Sequence, residues 1–265
     1  MSHDPVVEPA ALRLLPAFCL LDVRDQPAFS AGHASNAVRV PIEVWEAAAK
    51  TGETSFENVA YWEHAIGELG VDSDVPAVVY DDGRMTEAAR VWFILQYFGA
   101  KAFILNGGWA AIEGHNDLLE TAQAVRSAAT FRARPGAGPV GLVDRQTLKA
   151  ELDSNVRIFD ARTQSEYAGD DLRRNARGGH LPRARLLPHA NLLDGSRLRP
   201  AMELHDLLAQ AGFQPGDHIV THCDGGGRAA LVAAAAARAG YSDVRAYYLS
   251  FADWAKDESC SIVRD

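Results

Sequence analysis

The chain has 265 residues, 48% of them hydrophobic, with 26 Lys and Arg against 35 Asp and Glu and a net charge of −9. That length holds one large or two modest domains, each able to bury a core. The acidic balance argues against nucleic acid or an anionic membrane surface as the main partner, and no apolar run approaches the roughly 20 residues of a membrane-spanning helix.

In chain order, the start MSHDPVVEPAALRLLPAF lacks the basic opening of a signal peptide. The segment LLDVRDQPAFSAGHASNAVRVP (20–41) then brings an apolar strand, Asp22-x-Arg24, an aromatic residue, a Gly-His turn and a proline. YWEHAIGELG (61–70) reads as a helix. In 78–112, the strand VVY is followed by a loop, the helix EAARVWFILQYFG stopped by glycine, the strand AFIL and NGGW. RARPGAGPVG, rich in Pro and Gly, closes a boundary expected over 123–139. Beyond it, IFDARTQSEYAG (158–169) and GGHLPRARLLP (178–188) precede the helix MELHDLLAQAG (202–212). Last comes IVTHCDGGGRAALVAAAAARAGYSDVRAYYLSFADW (219–254), a strand, a glycine loop, an alanine-rich helix and a further strand.

The second half repeats the first. Both carry an apolar strand, Asp-x-Arg, an aromatic residue five positions later, Gly-His and proline. The strand, loop, helix, glycine, strand order also recurs, placing Asp81 opposite Cys223 and Gly99 opposite Gly240. Strands alternating with helices predict an α/β fold: two tandem domains of about 120 residues, each a mainly parallel sheet flanked by helices. The expected division is 1–122, a linker at 123–139, and 140–265. Shared features read as architectural: Asp22 with Arg24 and Asp160 with Arg162 as charge pairs fixing loops, His33 and His180 as structural turns. Features confined to the second copy read as chemical.

Those confined features are Cys223, the glycines Gly225, Gly226 and Gly227, and Arg228. A cysteine between a strand and a helix meets converging backbone N–H groups, and glycines let the backbone curl around it. Such surroundings favour an anion, and the thiolate is the nucleophilic form of cysteine. The alternative is a small core cysteine beside a turn, which is how Cys19 reads. The first copy has Asp81 at this place, and a carboxylate cannot act as a sulfur nucleophile, so that domain is expected to be inactive. A cation at a helix N-terminus calls for a local anion, so Arg228 is expected beside the site. His222 reads as structural, because adjacent strand residues face opposite ways. Three cysteines far apart make neither a disulfide framework nor a zinc site, and no metal or cofactor is expected.

On DVR, AGHASNAVRVP and NGGW in the first half, and DARTQSEYAG, GGHLPRA and CDGGGR in the second, the chain resembles the rhodanese family in its two-domain sulfurtransferase form. The resemblance covers nearly the whole chain. It implies an inactive first domain, a catalytic cysteine at 223 and a site at the domain interface. It also implies that sulfane sulfur moves from a donor to the cysteine as a persulfide, then to a thiophilic acceptor such as cyanide or a thiol. Two motifs depart from the family: YYLSFADW lacks the glycine of NGGW, and the loop reads Gly-Gly-Arg where many two-domain members have Gly-Val-Thr.

Thiosulfate and 3-mercaptopyruvate are the donors the resemblance implies, and both are anions. The segment LRRNARGGHLPRARLLP supplies arginines, of which Arg177 and Arg183 flank the Gly-His turn, the region the resemblance implies contributes substrate-binding arginines. Asp224 belongs to the active-site loop but opposes a dianion unless it points outward or pairs. Thiosulfate is the favoured donor. A persulfide carrier serving a protein partner stays open as an alternative, with the basic segment as its docking surface. A cysteine phosphatase fits less well, because four residues rather than five separate Cys223 from Arg228. Cys260 reads as an incidental thiol that could instead resolve a persulfide. A soluble, cytoplasmic protein is expected, and oligomeric state is left open.

Overall fold

The computed structural model describes residues 4–12, 14–15, 17–53, 55–113, 119–120 and 127–264. The extreme N-terminus read above and the first residues of the expected linker, 123–126, lie outside them. The chain forms two compact units, one of residues 5–138 with 195–197, the other of 139–194 and 198 onward with Asp4.

In the first unit, strands β1 (Val6–Val7), β2 (Cys19–Asp22), β3 (Val38–Arg39), β4 (Ala77–Tyr80) and β5 (Ala102–Leu105) form a parallel sheet in the order β1-β5-β4-β2-β3. Helices α1 (Gln26–Ala31), α2 (Ile42–Lys50), α3 (Val59–Glu68) and α4 (Thr86–Tyr97) accompany it. The second unit has β6 (Gly141–Leu142), β7 (Arg157–Asp160), β8 (Arg185–Leu186), β9 (Ile219–His222) and β10 (Val244–Ala246), again parallel. Their order, β8-β7-β9-β10-β6, is the first order read backwards through equivalent strands. Its helices are α5 (Arg145–Glu151), α6 (Gln164–Ala168), α7 (Ala201–Gln210), α8 (Gly227–Arg238) and α9 (Ser250–Trp254).

The central strands are continuous apolar runs because helices cover both faces of such sheets. Every residue of β4 and of β9 is buried. Alanine dominates α8, and Ala229 to Ala236 are all buried. A helix apolar all round belongs in an interior, and small side chains let it lie close on the strands. Its N-terminus therefore stands directly over the end of β9. Val143, Ile158, Val220, Tyr247, Phe251 and Trp254 pack in the core on which α9 sits. Among the described residues no helix is long and apolar enough to cross a membrane.

Candidate active site

Cys223 follows β9, the middle strand of its sheet, at the carboxyl ends of the strands, where a parallel sheet opens a crevice for ligands. It is 1% exposed. Its Sγ accepts a hydrogen bond from the Gly226 N–H at 3.0 Å. Gly226 caps α8 with φ +105°, a backbone that side-chain-bearing residues rarely adopt. The glycine loop thus turns a backbone N–H onto the sulfur at the positive end of a twelve-residue helix.

The first turn of α9 holds the loop from the other side. Phe251 N–H donates to the Cys223 carbonyl and Ala252 N–H to the Asp224 carbonyl, both at 3.0 Å. The Cys223 N–H donates to Ser250 Oγ at 3.1 Å. Asp224 does pair: its Oδ1 accepts from Asn175 Nδ2 at 2.7 Å.

The anion that Arg228 requires is Glu166. Two guanidinium nitrogens reach its two carboxylate oxygens at 2.6 and 2.7 Å. Glu166 is itself tied down by a capping box with Thr163, which starts α6. Burial works against ionisation of Glu166, but the Arg228 and Thr163 bonds outweigh it and bring the pKa down to about 2. Burial also opposes the charge on Arg228. The bonds to Glu166 and the neighbouring Cys223 and Asp224 outweigh it and raise the pKa above the usual arginine value. Arg228 therefore stays a fixed cation within electrostatic reach of Cys223, its fork occupied by Glu166. His189 is nearby: burial, then Arg228, holds its pKa below the ordinary imidazole value.

Beneath the loop the shared charge pairs do the structural work read for them. Asp160 accepts from Arg162 Nε and Nη2, the latter at 2.7 Å, and Arg162 also donates to the Gly179 carbonyl. Asp22 and Arg24 repeat the arrangement, with Arg24 bonded to the Gly32 carbonyl. His180 stacks on Tyr167 at 3.7 Å and His33 on Phe29 at 3.8 Å, each with Nδ1 on the same residue's carbonyl. His222 is fully buried, and its Nε2 lies 3.3 Å from Asp160 Oδ2 but out of line for a hydrogen bond. Burial is the main cause that lowers its pKa to about 4.

The structure brings Cys223, Asp224, Gly226, Gly227 and Arg228 together, with Gly225 between them in the same loop. It sends Arg177 and Arg183 elsewhere. Arg177 donates to the carbonyls of Trp254, Ala255, Asp257 and Cys260, at the far end of α9 from the loop. Arg183 donates to the carbonyls of Leu152 and Ser154 beyond α5. The Arg177 fork is filled by carbonyls and braces that end of the unit, whereas Arg183 is exposed and bonds through Nη1 alone; none of these bonds reaches the Cys223 loop. Arg173 is exposed and lies 3.9 Å from Glu166 Oε1, the carboxylate that holds Arg228. Cys260 is buried, and burial raises its pKa.

Sequence reading missed Glu166, Asn175 and Ser250, and offered Arg173 only as one arginine of the basic segment. Thr163-x-x-Glu166 is a legible capping-box pattern, but nothing local shows that its carboxylate also receives Arg228. Ser250 sits where the expected glycine was absent, which was the available signal.

In the first unit, Asp81 occupies the equivalent place. Its carboxylate accepts from the N–H groups of Gly83, Met85, Glu87 and Ala88 at 2.9 to 3.2 Å. A ring of N–H groups forms there, and the protein's own carboxylate fills it. Among the described residues no group of three or more His, Cys, Asp and Glu side chains is placed to hold a metal ion.

Comparison with known proteins agrees with this architecture. The family described as "Rhodanese-like domain" matches residues 9–115 and again 144–257. The thiosulfate sulfurtransferase of Azotobacter vinelandii is 29% identical, over 94% of this chain and 93% of that protein. The 3-mercaptopyruvate sulfurtransferase of Escherichia coli K12 is 31% identical over 72% of this chain and 68% of its own length. Among solved structures, the anaerobic ergothioneine biosynthesis enzyme of Chlorobium limicola has the same fold, with a TM-score of 0.85 at 19% identity, over 99% of this chain and 71% of that one. The chain belongs to the rhodanese-like family.

Proposed function

From that membership we propose that the chain is a sulfurtransferase that carries sulfane sulfur on Cys223, with thiosulfate as donor. The observation that carries the reading is the Cys223 loop. A nucleophilic sulfur receives the Gly226 N–H at 3.0 Å and faces the start of α8, with the Arg228–Glu166 pair beside it.

In the first half-reaction the Cys223 thiolate attacks the outer sulfur of thiosulfate. The new S–S bond takes that sulfur as its S–SO3 bond breaks, and sulfite leaves with the bonding pair. In the second, a thiophile such as cyanide attacks the outer sulfur of the persulfide, forms thiocyanate and releases the Cys223 thiolate. Two half-reactions through a covalent intermediate predict ping-pong kinetics. The backbone N–H at the loop stabilises anionic sulfur in both states.

Donor recruitment falls to Arg173, an exposed cation 3.9 Å from Glu166, rather than to Arg177 and Arg183. The first domain, read as 1–122, acts as an inactive partner because Asp81 fills its anion cradle. The second, 140–265, carries the chemistry. A reducing, cytoplasmic setting suits a thiol enzyme with three free cysteines. A second reading, transfer from 3-mercaptopyruvate, is favoured by the Escherichia coli relative of that name.

Thiocyanate formation from cyanide, with each donor in turn, tests the assignment. Turnover with thiosulfate that disappears in Cys223→Ser is expected. Turnover retained by the serine variant would sink the proposal. A persulfide on Cys223 by mass spectrometry without turnover would point to a carrier that serves a protein partner.

A further inference from the structure

Two backbone hydrogen bonds align the units residue by residue. Trp109 N–H donates to the Asp81 carbonyl, and Phe251 N–H donates to the Cys223 carbonyl. Ser250 is therefore the counterpart of Gly108. Both have left-handed backbones, φ +55° for Gly108 and +61° for Ser250. In the first unit glycine is obligatory, since a Cβ would lie 2.8 Å from the Asp81 carbonyl oxygen and from the Gly83 nitrogen. In the second unit a side chain occupies this place, in a backbone conformation that disfavours one.

A fully buried serine held in such a conformation needs a reason, and its hydroxyl supplies one. Ser250 Oγ accepts the Cys223 N–H at 3.1 Å. The hydroxyl proton has two acceptors in reach, the Tyr247 carbonyl at 2.9 Å and Cys223 Sγ at 3.7 Å. One rotation about the C–O bond moves the proton from carbonyl to sulfur while Oγ keeps the Cys223 N–H.

We propose that Ser250 is a positioning residue for sulfur transfer: its hydroxyl anchors the Cys223 backbone and donates to Sγ whenever that sulfur carries negative charge. The inference rests on Cys223 being the nucleophile. The sulfur is anionic before it attacks the donor and again as it leaves the persulfide, so the hydroxyl assists both half-reactions. When Sγ is uncharged within the persulfide, the proton returns to the Tyr247 carbonyl. No proton is transferred and no co-reactant is needed.

Ser250→Gly and Ser250→Ala separate the hydroxyl from the backbone. Glycine relieves the left-handed conformation, and alanine retains its cost; both remove the hydroxyl. The measurement is the rate of Cys223 alkylation by iodoacetamide, read by peptide mass spectrometry from neutral pH to about pH 10, where an ordinary thiol is largely ionised. Both variants are expected to react about 2- to 10-fold more slowly at neutral pH, the scale of one lost hydrogen bond, with the gap closing as pH rises. Persulfide formation from thiosulfate should slow by a similar factor. A Ser250→Gly rate at neutral pH equal to or above that of the unaltered protein would overturn the proposal, as would a deficit that persists unchanged at high pH. If the unaltered protein takes no sulfur from thiosulfate, the donor assignment falls, while the alkylation comparison still decides the role of Ser250.

Discussion

At the scale of single residues, the Arg228–Glu166 pair is the main electrostatic commitment of the site. Glu166 has a folded pKa of about 2 against an ordinary 4.5. A carboxylate whose folded value is depressed adds stability that is present above the unfolded value and lost as pH falls through the folded one. The window here runs from about 4.5 down to about 2, and the contribution is about 3 kcal/mol. Glu166→Gln keeps the shape but leaves the Arg228 cation without its counter-charge. Denaturant unfolding at neutral pH should show a loss of about 3 kcal/mol, and a shallower decline of stability between pH 4.5 and 2. An unchanged acid limb would show that the pair contributes nothing. Residue by residue, the Cys223 loop with Arg228 beside it was legible, and the placement of Arg177 and Arg183 was not. Cys223 and its glycines act through a contiguous loop, whereas the fates of Arg177, Arg183 and Arg228 depend on carbonyls and a carboxylate from other elements.

At the scale of elements, the two strand–loop–helix units solve one problem in two ways. Each ends a buried strand beneath a helix N-terminus whose first N–H groups lack partners within the helix. In the first unit Asp81 satisfies them from inside, and α4 begins at Thr86, five residues on. In the second, the loop is one residue shorter, α8 begins at Gly227, and the sulfur takes the place of the carboxylate. Asp81→Ala should therefore destabilise the first unit by about 3 kcal/mol, because buried N–H groups lose their acceptor. Sulfur transfer per folded molecule should stay near the unaltered value. Calorimetry with activity measured at matched folded fraction checks both statements. A variant of unchanged stability would mean that water replaces the carboxylate fully. The substitution of Asp81 was plain in the sequence, but its four backbone partners become visible only once the loop is closed.

At the scale of the whole molecule, burial makes the protein sensitive to acid before its carboxylates titrate. His222 has a folded pKa of about 4 against an ordinary 6.5. The folded state keeps the ring neutral while the unfolded chain takes up a proton below 6.5, so stability falls as pH drops from about 6.5 to about 4. The first unit has Tyr80 at this place, and its hydroxyl donates to Asp22 at 2.5 Å. His222→Tyr copies that arrangement. It should reduce the stability lost between neutral pH and pH 4.5 by about 2 kcal/mol, measured by denaturant titration at the two values. The same loss in both proteins would place the acid sensitivity elsewhere.

The sequence by itself determined the duplication, the parallel α/β architecture, the carboxylate at position 81 and the cysteine in its glycine loop at 223. Those properties are written in periodicity, in glycine placement and in residue chemistry, which are local. Only the tertiary structure decided that Glu166 holds Arg228, that Arg177 and Arg183 brace carbonyls, and that Ser250 stands against the sulfur. These contacts join residues between 27 and 83 positions apart. The geometry of such pairings is set by how sheets and helices pack, which no local pattern encodes.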